Sequence, residues 1–504
     1  MAGTSLWPLS ARAARRLQHD TSTRQAPEAG LTPASTSTLS MAARQAYGEL
    51  FKLRIESARA LLRPELQRAP ASAGTLLVAD CIDFTELLIR QDAGRYEAVV
   101  AAQDRRLEAL EKSAERGPLR DYARAEIRLH QAAAQVAFQH EVQGAWSLRQ
   151  AYQLMQATSQ RYPGFLPARK TLGIMQFFIG SLPEGYHWFL KLLGLPGSVA
   201  LGGQNLRAAA QRPHDFQPEA QIILALVQET YYKKADEALR LADRLVAQQP
   251  DNLLFSYLLI SLNKRQHRTD AALAAYRARP TGPAYLPVAY LHHMAADLLL
   301  YQGQYAASRR ANQQFLQQYQ GVHYRKDAAF KLYLAAWLGG DAPAAEQYRR
   351  QISAPGRTVV EEDTYAQRFY EGKLPLNRVL TRARFQLDGG YYREALATLR
   401  GFTATASQPL RDRLEDPYRR ARAYHGLGRL DSARLFYTRT MALGSKTPYY
   451  FAPQSALQMG YLCQTDGQLN LARLYFQQVL DSPKHEYKNS TDAKAKVALA
   501  GLGR

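Results

Sequence analysis

"QSALQMGYLCQTDGQLNLARLYFQQVLDSP", residues 454–483, decides the fold. Its apolar residues recur every three or four positions in two blocks around Thr465-Asp466-Gly467, which reads as two amphipathic helices joined by a tight turn. Gly460 is followed seven residues later by Gly467, five after that by Ala472 and four further by Phe476, and Pro483 closes the unit. Two upstream segments keep the same intervals. "RRARAYHGLGRLDSARLFYTRTMAL" (419–443) carries Ala421, Gly428, Ala433 and Tyr437, and "RARFQLDGGYYREALATLRG" (382–401) carries Ala383, Gly390, Ala395 and Leu399. Small residues at the first and third sites let the two helices cross closely. The glycine turns the chain, and the bulky residue fills the gap toward the next unit.

These intervals resemble the tetratricopeptide repeat. Fainter copies place Ala238/Ala242, Ala272/Tyr276, Ser308/Asn312 and Ala344/Tyr348 at the second-helix positions, and Ala238 to Ala272 spans 34 residues. Paired helices continue upstream. "MAARQAYGELFKLRIESARALLRPE" (41–65) reads as one helix ended by Pro64, followed by helix pairs over 75–117 and 119–163. The expected fold is an all-α, α-α superhelical solenoid of about 20 helices in tetratricopeptide-like hairpins, with a non-repeat helical insert. Its expected parts are a disordered or targeting-like tail (1–40), N-terminal hairpins (41–162), the insert (163–215), degenerate repeats (216–355) and C-terminal tetratricopeptide repeats (356–504).

Composition agrees with this. Hydrophobic residues make up 46%, within the packed globular range, and Ala, Leu, Arg and Gln, all good helix formers, dominate. The formal charge is +21, but Arg alternates with acids in "AQDRRLEAL" and "PLRDRLEDPYRRARAYHG", a pattern that reads as solvated helical faces. Cys81 and Cys463 stand far apart in apolar contexts and read as buried small hydrophobes. No stretch reaches the roughly 18 apolar residues of a membrane helix. Residues 1–40 lack the apolar core of a secretory signal, so the chain as written is expected to be soluble and cytoplasmic, or exported if the true start lies upstream.

Chemistry-bearing motifs are sparse. His292 and His293 are adjacent, so they face different sides of a helix and make a poor metal pair. Glu361, Glu362 and Asp363 read as acids at the start of their own helix, where the dipole favours them. No HExxH, GxSxG or P-loop spacing occurs. Neither catalysis, a metal nor a cofactor is expected.

The stretch "RYPGFLPARKTLGIMQFFIGSLPEGYHWFLKLLGLPGSVALGGQNLRAAA" (161–210) leaves the repeat register. Through Gly173, Phe177, Ser181, Leu182, Pro183, Leu192, Leu193, Gly194, Gly197 and Gly202 it resembles the segment that marks the tetratricopeptide repeat protein 39 family and its fungal inclusion-body-clearance relatives. The resemblance implies an all-helical repeat scaffold with no established catalytic residues. The stretch is expected to form a buried helix-break-helix plug, with Phe177, Trp188 and Leu192 away from solvent.

The expected function is a non-enzymatic protein–protein interaction scaffold. Its concave face would carry Arg384, Arg422, His425, Tyr461 and Gln464, a set suited to an acidic protein or peptide partner. Nucleic acid is not expected, because most of the 30 tyrosines fall at packing positions. The alternatives are an envelope-associated ligand-binding repeat protein and a nucleic-acid-binding one.

Overall fold

A computed structural model describes residues 38–182, 194–232, 234–354, 356, 358 and 360–502. Among them are 24 helices and no strand. The first eight are α1 (Met41–Phe51), α2 (Ile55–Arg68), α3 (Ala73–Arg90), α4 (Ala93–Lys112), α5 (Pro118–Ala137), α6 (Glu141–Arg161), α7 (Leu166–Ser181) and α8 (Val199–Gln211). Next come α9 (Gln217–Thr230), α10 (Ala235–Gln248), α11 (Leu253–Arg265), α12 (Thr269–Ala278), α13 (Tyr290–Tyr301), α14 (Tyr305–Gln318), α15 (Arg325–Gly339) and α16 (Ala342–Gln351). The last eight are α17 (Glu361–Tyr370), α18 (Arg378–Gly389), α19 (Tyr392–Leu399), α20 (Leu410–Gly426), α21 (Leu430–Gly444), α22 (Phe451–Thr465), α23 (Leu469–Leu480) and α24 (Lys488–Gly501). The fold is an all-α solenoid of tetratricopeptide type, and its core is divided into local clusters between neighbouring hairpins.

Local chemistry sets the helix starts. Asn252, Asp341 and Asn377 each accept a backbone N–H of the following first turn, and prolines occupy the first turns of α5, α7, α9 and α16. One boundary differs from the sequence reading. The helix expected over 41–65 is two helices, and Pro64 lies inside α2 rather than ending it. The break falls at Leu53, whose φ is 61° and whose carbonyl accepts the Leu286 N–H at 2.8 Å. Pro64 is tolerated because it and Ala60 are exposed, so water can satisfy the carbonyl that the proline leaves without a donor. In α16 the buried alanine is Ala345, one position beyond the expected Ala344.

The repeat glycines explain themselves. Gly390, Gly428 and Gly467 follow the first helices of their hairpins at φ of 87°, 72° and 75°, a region that L side chains rarely adopt. In the off-register segment, α7 and α8 cross almost backbone to backbone. A Cβ on Gly202 would lie 2.5 Å from the Phe177 nitrogen, and one on Gly173 would lie 2.9 Å from the Gly202 oxygen. Phe177 is fully buried, as expected, whereas Trp188 and Leu192 lie outside the described residues. Both cysteines are buried.

Stacking is keyed by charge. Lys264 on α11 meets Asp297 on α13, 33 residues on, and Asp297 is also bridged at 2.7 Å by Lys331 of α15. His293 sits between Asn312 at 2.9 Å and Asp327 at 3.0 Å, the latter 34 residues on, and Arg422 meets Asp388 at 2.9 Å over the same separation. Earlier in the chain, Lys170 has no access to water and lies 3.0 Å from Glu126 and 2.7 Å from Glu219, tying α7 to α5 and α9. Burial would neutralise this amine. Glu126 and Glu219 overcome that and hold its pKa well above the usual lysine range.

The stack then curls back on itself. Lys496 of α24 donates to the Leu182 carbonyl at 3.0 Å, and Val497 joins the apolar cluster of Phe177, Leu206 and Val227. Halfway along, the turn after α11 touches the turn after α18. His267 Nδ1 lies 2.9 Å from the Asp388 carbonyl, and a Cβ on Gly390 would stand 2.0 Å from the His267 oxygen.

Two outcomes follow. Gly467→Ala meets open space and carries only its left-handed φ, a cost of about 1 kcal/mol. Gly390→Ala adds the clash with His267 and should lower the melting temperature clearly further when the two variants are melted side by side. Lys170→Met leaves Glu126 and Glu219 without their cation and should cost about 3–5 kcal/mol in urea unfolding.

Candidate functional site

The inner helices α17, α18 and α20 bring five guanidinium groups to one layer. Arg384 donates to the Tyr365 hydroxyl at 3.1 Å, lies over that ring at 5.1 Å, and reaches Asp388 at 3.6 Å. Arg411 donates to the same hydroxyl at 3.2 Å and stands 3.6 Å from Glu486. Arg419 takes Glu415 through two nitrogens, at 2.6 and 2.9 Å, and the Tyr450 hydroxyl at 3.0 Å. Arg368 meets Glu486 at 2.6 Å, and Arg422 completes the set on Asp388. These five cations face three carboxylates, Asp388, Glu415 and Glu486. Burial pushes the Asp388 carboxyl up, but Arg422 and Arg384 beside it hold it well below the usual carboxylate range.

Access to water divides the layer. The Arg411 and Arg419 side chains are 3% and 1% exposed, so "RDRLEDPYRR" is not the solvated face that its charge alternation suggested. The i,i+4 spacing of Arg411, Glu415 and Arg419 puts all three on one face of α20, and that face points inward. Arg368, Arg384 and Arg422 keep 33%, 27% and 16% of their side chains exposed and form the water-facing edge.

Of the residues proposed from sequence, Arg384 and Arg422 are brought together on Asp388. His425 and Tyr461 instead pack against the second helices of their own hairpins. His425 Nδ1 lies 3.1 Å from the Tyr437 hydroxyl, and Tyr461 meets Phe476 edge-on at 5.3 Å between ring centres. Gln464 is half-buried on α22. Sequence reading missed Tyr365, Asp388, Arg411, Glu415, Arg419 and Glu486. The separation of 34 between Asp388 and Arg422 was the available signal.

The remaining candidates resolve locally. His292 lies against Tyr276 while His293 points into the stack, so the adjacent pair does diverge. Among the described residues no group of three His, Cys, Asp or Glu gathers closely enough to hold a metal ion. Asp363 does not cap its own helix. Its two oxygens accept the N–H groups of Tyr324 at 2.6 Å and Asp327 at 2.9 Å, closing the start of α15.

The chain is thus a tetratricopeptide-type helical solenoid with a basic, phenol-rich inner layer. No protein-family model matches it, and no curated protein matches it. Among solved structures, a human IFIT1 dimer with PPP-AAAA is similar over 87% of this chain and 89% of that one, at 14% identity and a TM-score of 0.37. A monomeric IFIT1 mutant with Gppp-AAAA is similar over 88% and 91%, at 13% identity and a TM-score of 0.37. The human IFIT1 dimer with m7Gppp-AAAA gives the same coverage at 14% identity and a TM-score of 0.38. The sequence reading expected a protein or acidic-peptide partner and set nucleic acid aside; against that expectation, the ligands in these structures are capped or triphosphate-bearing oligonucleotides. That expectation rested on the tyrosines, and Tyr365 and Tyr450 are indeed buried; it gave too little weight to the arginines, of which Arg368, Arg384 and Arg422 keep an edge in water. No helix among the described residues is long and apolar enough to cross a membrane.

Asp363 supplies a pH prediction. It has no access to water, and burial pushes its carboxyl up to about 7, against the two N–H bonds that favour the anion. The folded state therefore holds a proton that the unfolded chain releases near pH 4, so this group's stabilising contribution is lost as pH rises toward and through 7. Going from pH 8 to pH 6 should raise the unfolding free energy by about 1.4 kcal/mol more in the wild type than in Asp363→Asn. Equal changes in paired denaturant titrations would refute this.

Proposed function

We propose that this chain is a non-catalytic helical-repeat scaffold that binds a single-stranded, phosphate-bearing oligonucleotide along its inner surface. The observation that carries this reading is the layer of five guanidinium groups facing three carboxylates, interleaved with the phenols of Tyr365 and Tyr450. Arg368, Arg384 and Arg422, at its water-facing edge, present donors suited to phosphate oxygens, and the buried phenols of Tyr365 and Tyr450 hold the guanidinium groups of this layer in place. The net charge of +21 supports the same reading by drawing polyanions toward the chain. The IFIT1 structures hold oligonucleotides, and the support in this chain is its own charge and side chains. We also propose distant membership in the tetratricopeptide repeat protein 39 family, supported by the glycines at 173, 197 and 202, each standing where a Cβ would strike the opposing backbone.

The test is binding of a fluorescent single-stranded oligoadenylate across a salt series. Affinity should fall steeply and log-linearly with salt. Arg384→Gln, which leaves Asp388 its Arg422 partner, should weaken binding roughly three- to tenfold and reduce the salt slope by about 1. Absence of binding at low salt would sink the proposal.

A further inference from the structure

Two of the arginines at the water-facing edge share one carboxylate of the chain itself. Arg422 Nη1 meets one oxygen of Asp388 at 2.9 Å, and Arg384 Nε lies 3.6 Å from the other. Each cation thus turns a donor toward Asp388, one to each oxygen, as a pair of arginines would toward two oxygens of a phosphate. Arg384 belongs to α18 and Arg422 to α20, so Asp388 is the group that draws cations from two helices together.

Apart from those cations, the place is a poor one for an acid. Asp388 is the penultimate residue of α18, where the helix dipole disfavours an anion. Burial also works against its charge, and Arg422, Arg384 and Arg419 overcome that. Its backbone is anchored from outside the layer, because its carbonyl lies 2.9 Å from His267 Nδ1 in the turn after α11. Elsewhere in the charge ladder, Lys264 and His293 are closed off from water, so an outside anion cannot reach them. Arg384 and Arg422 remain open to water, so an outside anion can reach the partners of Asp388.

We propose that Asp388 is an internal stand-in for phosphate, which a bound oligonucleotide displaces from Arg384 and Arg422. It thereby selects ligands anchored at several phosphates over ligands that carry one. This inference rests on the oligonucleotide reading of the same layer. A carboxylate tethered on α18 stands at high effective concentration beside its arginines, and a single phosphate arriving from solution has no such advantage. An oligonucleotide already held at Arg368 presents its next phosphate as a tethered group too, and so competes on equal terms. Asp388 is therefore a specificity-determining residue, not a ligand contact.

Titration of the full chain with fluorescent oligoadenylate and with adenosine monophosphate tests it. Asp388→Asn should bind the monophosphate about tenfold tighter than the wild type, and the oligoadenylate tighter by a smaller factor. Asp236→Asn removes an exposed carboxylate from α10, changes the net charge equally, and should shift either affinity by less than about twofold. Asp388→Glu, which keeps the charge, should restore the wild-type preference. Asp388→Asn leaves two cations without their anion, so its folding is checked by melting. The pair Arg384→Gln/Asp388→Asn removes a cation together with its anion, and should bind the monophosphate about tenfold tighter than Arg384→Gln alone. Monophosphate affinity unchanged or weaker in both Asp388→Asn backgrounds, or a gain matched by Asp236→Asn, would overturn this inference and leave the oligonucleotide reading standing. Absence of oligoadenylate binding by wild type and variants at low salt would overturn both.

Discussion

Opposite charges one repeat apart are the constraint on which the stack depends. Lys264, Asp297 and Lys331 occupy successive inner helices and alternate in sign, Asp388 with Arg422 repeats the interval, and a hydrogen bond between His293 and Asp327 spans it as well. An apolar interface between helices tolerates a slip of one turn, because one leucine packs nearly as well as its neighbour. A buried charge does not, since a slip would leave it without a counter-charge at a cost of several kcal/mol. The ladder therefore fixes register more than it adds stability, while the alanine and glycine positions allow the close approach that brings the charges into contact.

The same logic accounts for the closure of the superhelix. Once register is fixed, the small rotation between hairpins accumulates, and distant turns meet. Gly390 is the residue on which one of those meetings turns, because its left-handed backbone ends α18 and its missing side chain admits the His267 carbonyl. The C-terminal helix makes the other, through Lys496 and Val497 against the glycine-rich crossing of α7 and α8. The off-register segment is thus the surface that receives the end of the chain.

Charge is sorted by this geometry. Arginines that look exposed along the sequence are drawn inward, where Arg411 and Arg419 share tyrosines and carboxylates, while Arg368, Arg384 and Arg422 keep an edge in water. A basic composition thus yields one inner layer in which cations outnumber carboxylates.

The all-α class, the hairpin unit and its turn glycines were legible in the sequence because they follow from spacings of four to seven residues within one chain segment. Gly390, Gly428 and Gly467 needed no tertiary information to be recognised as turns. The candidate site was legible only in part. Arg384 and Arg422 were found through repeat register, whereas His425 and Tyr461 were assigned to an open face and instead pack within their own hairpins. Pro64 misled because a proline's effect depends on whether the carbonyl it frees can reach water, which a sequence does not state. The sequence by itself determined the helical class and how the C-terminal helices pair. Tertiary structure alone decided which charges face inward and which turns touch, because those depend on rotation accumulated over hundreds of residues.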